Sequence, residues 1–103
     1  MRNRNNARPR SRGVSAFRRE CLPDPIQYFQ SEGLVLVGHG EWRSTRCEFH
    51  DDVNPSMRVN IATGAFRCFA CGVHGGDVLA YEMARYGIAF REAAERLGAW
   101  EDK

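Results

Sequence analysis

Apolar and polar positions alternate most cleanly over residues 56–61, where Met57, Val59 and Ile61 share one parity and Ser56, Arg58 and Asn60 the other. A period of two is that of a half-buried strand. Ala62, Thr63 and Gly64 then read as a short hairpin turn, and residues 65–68 as the returning strand. On it Phe66 falls on the side of Cys68, while Arg67 and Phe69 point the other way. The apolar run Leu34, Val35, Leu36 and Val37 predicts a further strand, Gly38, His39 and Gly40 a turn, and residues 42–46 another strand. Together these make an antiparallel sheet of about four strands. One face is turned to the core, and the open face carries Arg58, Asn60, Arg67 and Phe69, with Arg43 added from the neighbouring strand.

The periodicity lengthens on either side of the sheet. Asp24 precedes a proline and is pushed out of the helical region, so Pro25 takes the first position of a short helix through Gln27, Tyr28 and Phe29, which Gly33 ends. After the glycine-rich stretch Gly72-Val73-His74-Gly75-Gly76, expected to be a mobile loop, Asp77 is a good N-cap. The helix behind it places Leu79, Met83 and Tyr86 on one stripe and stops at Gly87. A last helix over residues 90–97 turns Phe90, Ala93, Ala94 and Leu97 inward, and Arg91, Glu92, Glu95 and Arg96 outward. These stripes are core rather than cofactor sites. The fold class is therefore α+β, with one helix before the sheet and two after it. No internal repeat is present.

Charge changes this picture at one end. The net charge of +2 conceals an asymmetry. Residues 1–20 hold seven arginines against Glu20 alone, a balance of +6, and residues 21–103 hold eight basic against twelve acidic residues, a balance of −4. An Arg-rich arm with almost no apolar residues cannot pack, so residues 1–20 are expected to be a disordered arm and residues 21–103 the folded domain. Such an arm suits contact with nucleic-acid phosphates, and its bland counterpart is a solubilising tail. No apolar run approaches the ~20 residues of a membrane span, and the first residues lack the apolar core of a signal peptide. A chain of 103 residues supports one domain with a thin core.

The candidate chemistry lies between Cys47 and Cys71. Cys47 and His50 form one pair and Cys68 and Cys71 another, each with two residues between its members and 17 residues between the pairs. A two-residue gap aims two side chains at one ion, and the longer segment folds the second turn back to complete a tetrahedron. Three thiolates and one imidazole fill every position of a Zn²⁺, which leaves no place for an activated water and makes the site structural. A disulfide framework would have to recruit Cys21 without a secretory context, and redox chemistry at one Cys-x-x-Cys would leave Cys47 and His50 without a role. His39 and His74, the other imidazoles, lack the spacing and are expected on solvated loops. Cys21 is expected to be a free thiol. Zinc-bound, reduced cysteines fit a cytoplasmic compartment, and the metal is expected to supply folding free energy.

These residues resemble a known family, the Cys-His-Cys-Cys zinc-binding domain at the N-terminus of bacterial and phage DNA primases. Cys47-Glu48-Phe49-His50 followed by Pro55-Ser56-Met57-Arg58-Val59 is similar to its first ligand turn, Pro-Ser pair and alternating strand. Phe66-Arg67-Cys68-Phe69-Ala70-Cys71-Gly72 is similar to its second turn. Gly76-Asp77-Val78-Leu79 and Ala89-Phe90-Arg91-Glu92-Ala93-Ala94 echo the helices that follow. The match runs from about Pro25 to Gly98. Glu48 stands where the family has proline, and the loop before Asp77 is one residue longer.

The resemblance implies a module that contacts single-stranded DNA and helps choose where primer synthesis begins. The catalytic polymerase domain that family members carry, with its acidic Mg²⁺ sites, is not expected within these 103 residues. Asp51-Asp52 reads as a pair of solvated carboxylates, since phosphoryl transfer needs Mg²⁺ held by several converging groups. The module is thus expected to be non-catalytic. Arg43, Arg58 and Arg67 would pair with phosphates, Phe69 would stack on a base and Asn60 would bond a base edge. The alternative is a zinc ribbon that docks on a primase catalytic subunit, a helicase or another replication protein. The −4 balance of the folded part favours that alternative, and the arm favours DNA.

Overall fold

The computed structural model describes residues 16–51 and 53–102. The expected arm therefore lies outside the described residues up to position 15, as do Asp52 and Lys103. The domain begins earlier than position 21. Strand β1 (Ala16–Phe17) pairs antiparallel with β6 (Trp100–Glu101), setting Ala16 opposite Glu101 and Phe17 opposite Trp100. A 3₁₀ turn over Arg19–Cys21 follows β1. Phe17 is the reason: its ring lies 5.1 Å from that of Phe90, and Phe90 lies 6.4 Å from Trp100, so an aromatic cluster fastens β1 to β6 and to the helix that begins at Phe90.

Helix α1 (Pro25–Ser31) starts as its sequence dictates, with Pro25 in the first turn and the Asp24 carboxylate accepting from the Gln27 N–H at 3.1 Å. The main sheet is a meander of β2 (Trp42–Thr45), β3 (Met57–Asn60), β4 (Phe66–Cys68) and β5 (His74–Gly75) in that order, antiparallel throughout. Helices α2 (Val78–Tyr86) and α3 (Phe90–Arg96) follow it. Asp77 caps α2 by accepting from the Ala80 N–H at 2.8 Å, and Gly87 closes it with φ of 64°.

The sheet has the expected four strands, but one is different. Residues 34–37 form no strand; only Val37 bridges Ser44. The Leu34 N–H is bonded to the Phe29 carbonyl at the end of α1, which draws the segment away from the ladder after one pair. The fourth strand is β5, taken from the stretch expected to be a loop. Gly75 makes this possible, since a Cβ there would sit 2.6 Å from the Phe66 ring and 2.7 Å from the Ala80 Cβ.

The core gathers on the inner sheet face. Tyr81, fully buried, is its hub, with the rings of Phe66, Phe29, Phe49 and Tyr28 at 4.9, 5.2, 5.3 and 5.9 Å. Helix α2 thus faces two clusters. Val78 and Tyr81 join the sheet and α1, while Leu79 and Met83 join Ala93 and Ala94 of α3. The expected stripe put Tyr86 inward; it lies at the rim, its hydroxyl donating to Glu32 at 2.6 Å. Phe90 is likewise partly exposed, while Ala93 and Ala94 are buried as expected.

Candidate metal centre and nucleic-acid face

Strand β2 ends two residues before Cys47, and β4 ends on Cys68 itself, so two strand ends of the meander deliver the two ligand turns side by side. The second turn is closed by the Gly72 N–H on the Cys68 carbonyl at 2.9 Å and by the Cys68 N–H on the Val73 carbonyl at 2.8 Å. The ligand atoms of Cys47, His50, Cys68 and Cys71 all lie within 4.8 Å of one another. Cys47 Sγ and Cys71 Sγ are 3.8 Å apart, and His50 Nε2 and Cys68 Sγ are 3.3 Å apart. Two sulfurs held tetrahedrally at about 2.3 Å from a zinc ion stand roughly 3.8 Å apart. The donor set therefore fits one structural Zn²⁺ in both chemistry and spacing. No cysteine is in a disulfide, and Cys21 is an exposed thiol.

The surroundings of the sulfurs follow from the turns. The Phe49 N–H points at Cys47 Sγ, and the Ala70 and Cys71 N–H groups point at Cys68 Sγ, each at 3.4 Å. Burial raises the Cys47 thiol pKa strongly, and the neighbouring Cys68 and Cys71 raise it further. Burial also acts to raise Cys68, but hydrogen bonds from Ser56, Cys71, His50 and Ala70 outweigh it and bring that thiol below its ordinary value. A bare three-sulfur cluster thus resists full ionisation, and a dication supplies the compensating charge.

Glu48, the residue after the first ligand, reaches across the fold. Its carboxylate accepts from the Tyr81 hydroxyl at 2.8 Å and pairs with Arg85 Nε at 3.3 Å. The first ligand turn is thereby tied to α2 and to the aromatic hub. Nothing local in the sequence reveals this, because the three residues meet only across the fold.

The strand register decides the open face. Arg58 lies opposite Ser44 and Arg67, and Arg67 opposite His74, which places all of them on the outer side. Phe69 is 68% exposed, with the Arg67 guanidinium 5.6 Å from its ring centre. Two of the expected contacts fall elsewhere. Arg43 lies opposite Val59, whose side chain is in the core, so it has the inner parity; it bonds the Gly40 carbonyl at 2.8 Å at the sheet edge. Asn60 has the outer parity but is 5% exposed, and its Oδ1 accepts from the Ala62 and Thr63 N–H groups at 2.8 and 2.9 Å, shaping the hairpin turn.

The residue missed by reading the sequence is Trp42. It lies opposite Asn60 on the outer side and is 43% exposed. Its parity with Arg58 and Arg67 emerges only once the β2–β3 register is known. His74 is exposed as expected, but on edge strand β5, where its Nδ1 is 3.0 Å from the Gly72 carbonyl oxygen.

A model of the CHC2 zinc finger matches residues 27–102, which take in all four ligands and the open face. The chain belongs to this family. The chain is 40% identical over 88 residues to a DNA primase of Aquifex aeolicus, covering 84% of this chain and 17% of that one. It is 39% identical over 67 residues to the DNA primase of Thermotoga maritima, covering 65% of this chain and 12% of the relative. Among solved structures, it resembles the Aquifex aeolicus primase fragment containing zinc-binding and RNA polymerase domains, with a TM-score of 0.61 and 36% identity. That match covers 74% of this chain and 18% of the other. The CHC2 zinc finger thus spans under a fifth of the primases it matches, and it is a primase-type zinc-binding domain. No described helix is long and apolar enough to cross a membrane.

Proposed function

We propose that this domain binds single-stranded DNA on the outer face of its sheet and serves primer initiation without catalysing it. One observation carries the reading. Arg58 and Arg67 share that face with the exposed rings of Trp42 and Phe69, and neither arginine has a carboxylate partner among the described residues. The Arg58 Nε is buried and has no acceptor among the described residues. An unmet buried donor costs about 1–3 kcal/mol, a penalty removed when the Arg58 side chain swings outward to meet an arriving phosphate or base oxygen. The zinc ion, closed to substrate by four protein ligands, sets the two turns that bound the face. Phe69 offers its ring to a base, and the proposal assigns Asn60 to the hairpin turn and Arg43 to the sheet edge.

Titration of a labelled single strand tests this, using the zinc-loaded chain, a form lacking residues 1–15, and the double variant Arg58→Ala/Arg67→Ala. The double variant is expected to lose most binding with its zinc content intact. Equal affinity of the double variant and the intact chain would remove the face from the account and leave the arm as the DNA contact.

The second reading, docking on a primase catalytic subunit or helicase, has one observation in its favour. Val35 and Val37 are exposed beside a groove of about 530 Å³ that Arg46 and Arg85 also line. Under that reading Val35→Asp/Val37→Asp abolishes capture of the catalytic domain supplied in trans and leaves DNA affinity unchanged.

A further inference from the structure

We infer that the open face holds a slot for a single unstacked base, and that its preferred base is guanine. This inference rests on the single-strand reading above and adds what the face would recognise. Trp42 and Phe69 stand at opposite ends of the face. Trp42 lies across from Asn60, and the Phe69 N–H bonds the Ser56 carbonyl at 2.9 Å. The two anchor points are four residues apart along β3, or roughly 13 Å at the rise of an extended strand. Arg58 lies midway between them. Among the described residues, Trp42, Arg58, Arg67 and Phe69 line the resulting cavity of about 320 Å³, at the small end of the roughly 300–1,000 Å³ range of ligand pockets.

The walls and the floor ask for different things. Two aromatic rings offer π-faces that any base can stack against. The floor offers only donors, because a guanidinium has five N–H groups and no acceptor. The Arg67 guanidinium lies 5.6 Å from the Phe69 ring centre, which places its donors beside that wall. Arg58 has no acceptor for its Nε among the described residues, so nothing there holds its guanidinium back from turning into the slot. Guanine presents two acceptors, O6 and N7, side by side on one edge with no donor between them. Adenine sets an amino donor beside N7, and thymine has a methyl group beside its single carbonyl on that edge; an unpaired cytosine has a paired set of acceptors only at O2 and N3, on a smaller ring that stacks less strongly on Trp42 and Phe69. The cavity is continuous with a second groove of about 530 Å³ that shares Trp42, Arg67 and Phe69 and runs on to Gly72 and His74. That groove gives the neighbouring nucleotides a way out across β4 and β5.

The probe is an oligo(dT) strand of about a dozen nucleotides, and the same strand with one central dG, dA or dC, titrated against the full zinc-loaded chain by fluorescence anisotropy. The dG strand is expected to bind on the order of tenfold more tightly than the dA and dC strands. Quenching of tryptophan emission should accompany binding and be absent in Trp42→Leu. Phe69→Ala removes an exposed ring and leaves the core untouched; it should erase the preference while retaining binding of oligo(dT) and full zinc content. Equal affinity for all four strands, with tryptophan emission unchanged, would overturn the slot and leave single-strand binding standing. Failure to bind any strand would overturn both.

Discussion

The two sides of the sheet use arginine in opposite ways. On the helical side and the terminal ribbon, Arg18, Arg19, Arg85, Arg91 and Arg96 each meet a carboxylate, those of Glu101, Asp77, Glu48, Glu95 with Asp102, and Glu82 respectively. On the outer face and its edges, Arg43, Arg46, Arg58 and Arg67 make no ion pair among the described residues. The acidic balance of residues 21–103 is therefore no guide to what the domain binds. Much of its negative charge is matched within the helical side, where it holds elements together. The positive charge left over collects where no element covers it.

The zinc centre joins the two sides, so its removal is the largest perturbation. Structural zinc contributes on the order of 10 kcal/mol to small domains of this kind. Chelation, or Cys68→Ser, is expected to abolish the cooperative thermal transition and the near-ultraviolet signal of the aromatic hub together. An aromatic signal that outlives the metal would show that the helical side folds by itself.

Next in size is the hub. Tyr81→Ala opens a cavity among four rings and is expected to cost about 3–5 kcal/mol in urea unfolding of the zinc-bound chain. Tyr81→Phe keeps the packing and leaves Glu48 with Arg85 alone. It should cost about 1–2 kcal/mol, with DNA affinity unchanged.

Alkaline pH probes the same side. Burial, and then the hydrogen bond to Glu82, raises the Tyr28 pKa above its ordinary value; burial, and then Glu48, does the same for Tyr81. A group whose folded pKa is raised contributes its stability in full below the unfolded value, near 10, and loses it as pH climbs toward the folded value. Unfolding free energy should therefore fall above about pH 10, by up to ~1.4 kcal/mol per pH unit for each tyrosine. Tyr28→Phe should flatten the slope. An unchanged slope would remove Tyr28 from the explanation.

The sequence disclosed the parts whose geometry is local. Two ligand pairs of fixed spacing, the Asp24 and Asp77 caps and the alternation of residues 56–61 all depend on neighbours within a turn or a strand. The parts it concealed depend on distant partners. The apolar run at residues 34–37 reads as a strand, yet the Leu34 N–H is taken by α1. The glycines around His74 read as a loop, yet Gly75 is what allows β5 to pass beneath Phe66 and Ala80. Parity within β2 separates Trp42 from Arg43, but which parity is outward follows only from the pairing with β3. Phe17 carried no signal above the arginines around it, because the cluster it completes lies more than 70 residues away, at Phe90 and Trp100.

The contrast between the two arginine sets is tested most directly by the salt dependence of single-strand binding in two double variants of the intact chain. On oligo(dT), which has no guanine and leaves both guanidiniums to phosphates, Arg58→Ala/Arg67→Ala is expected to lower the slope of log K against log salt by about 1.4, at ~0.7 for each phosphate no longer neutralised. Arg18→Ala/Arg91→Ala removes as much charge from exposed ion pairs and should leave the slope unchanged, with the fold and zinc content retained. Equal reduction of the slope in both variants would mean that only total charge matters and that the outer face has no special part in binding.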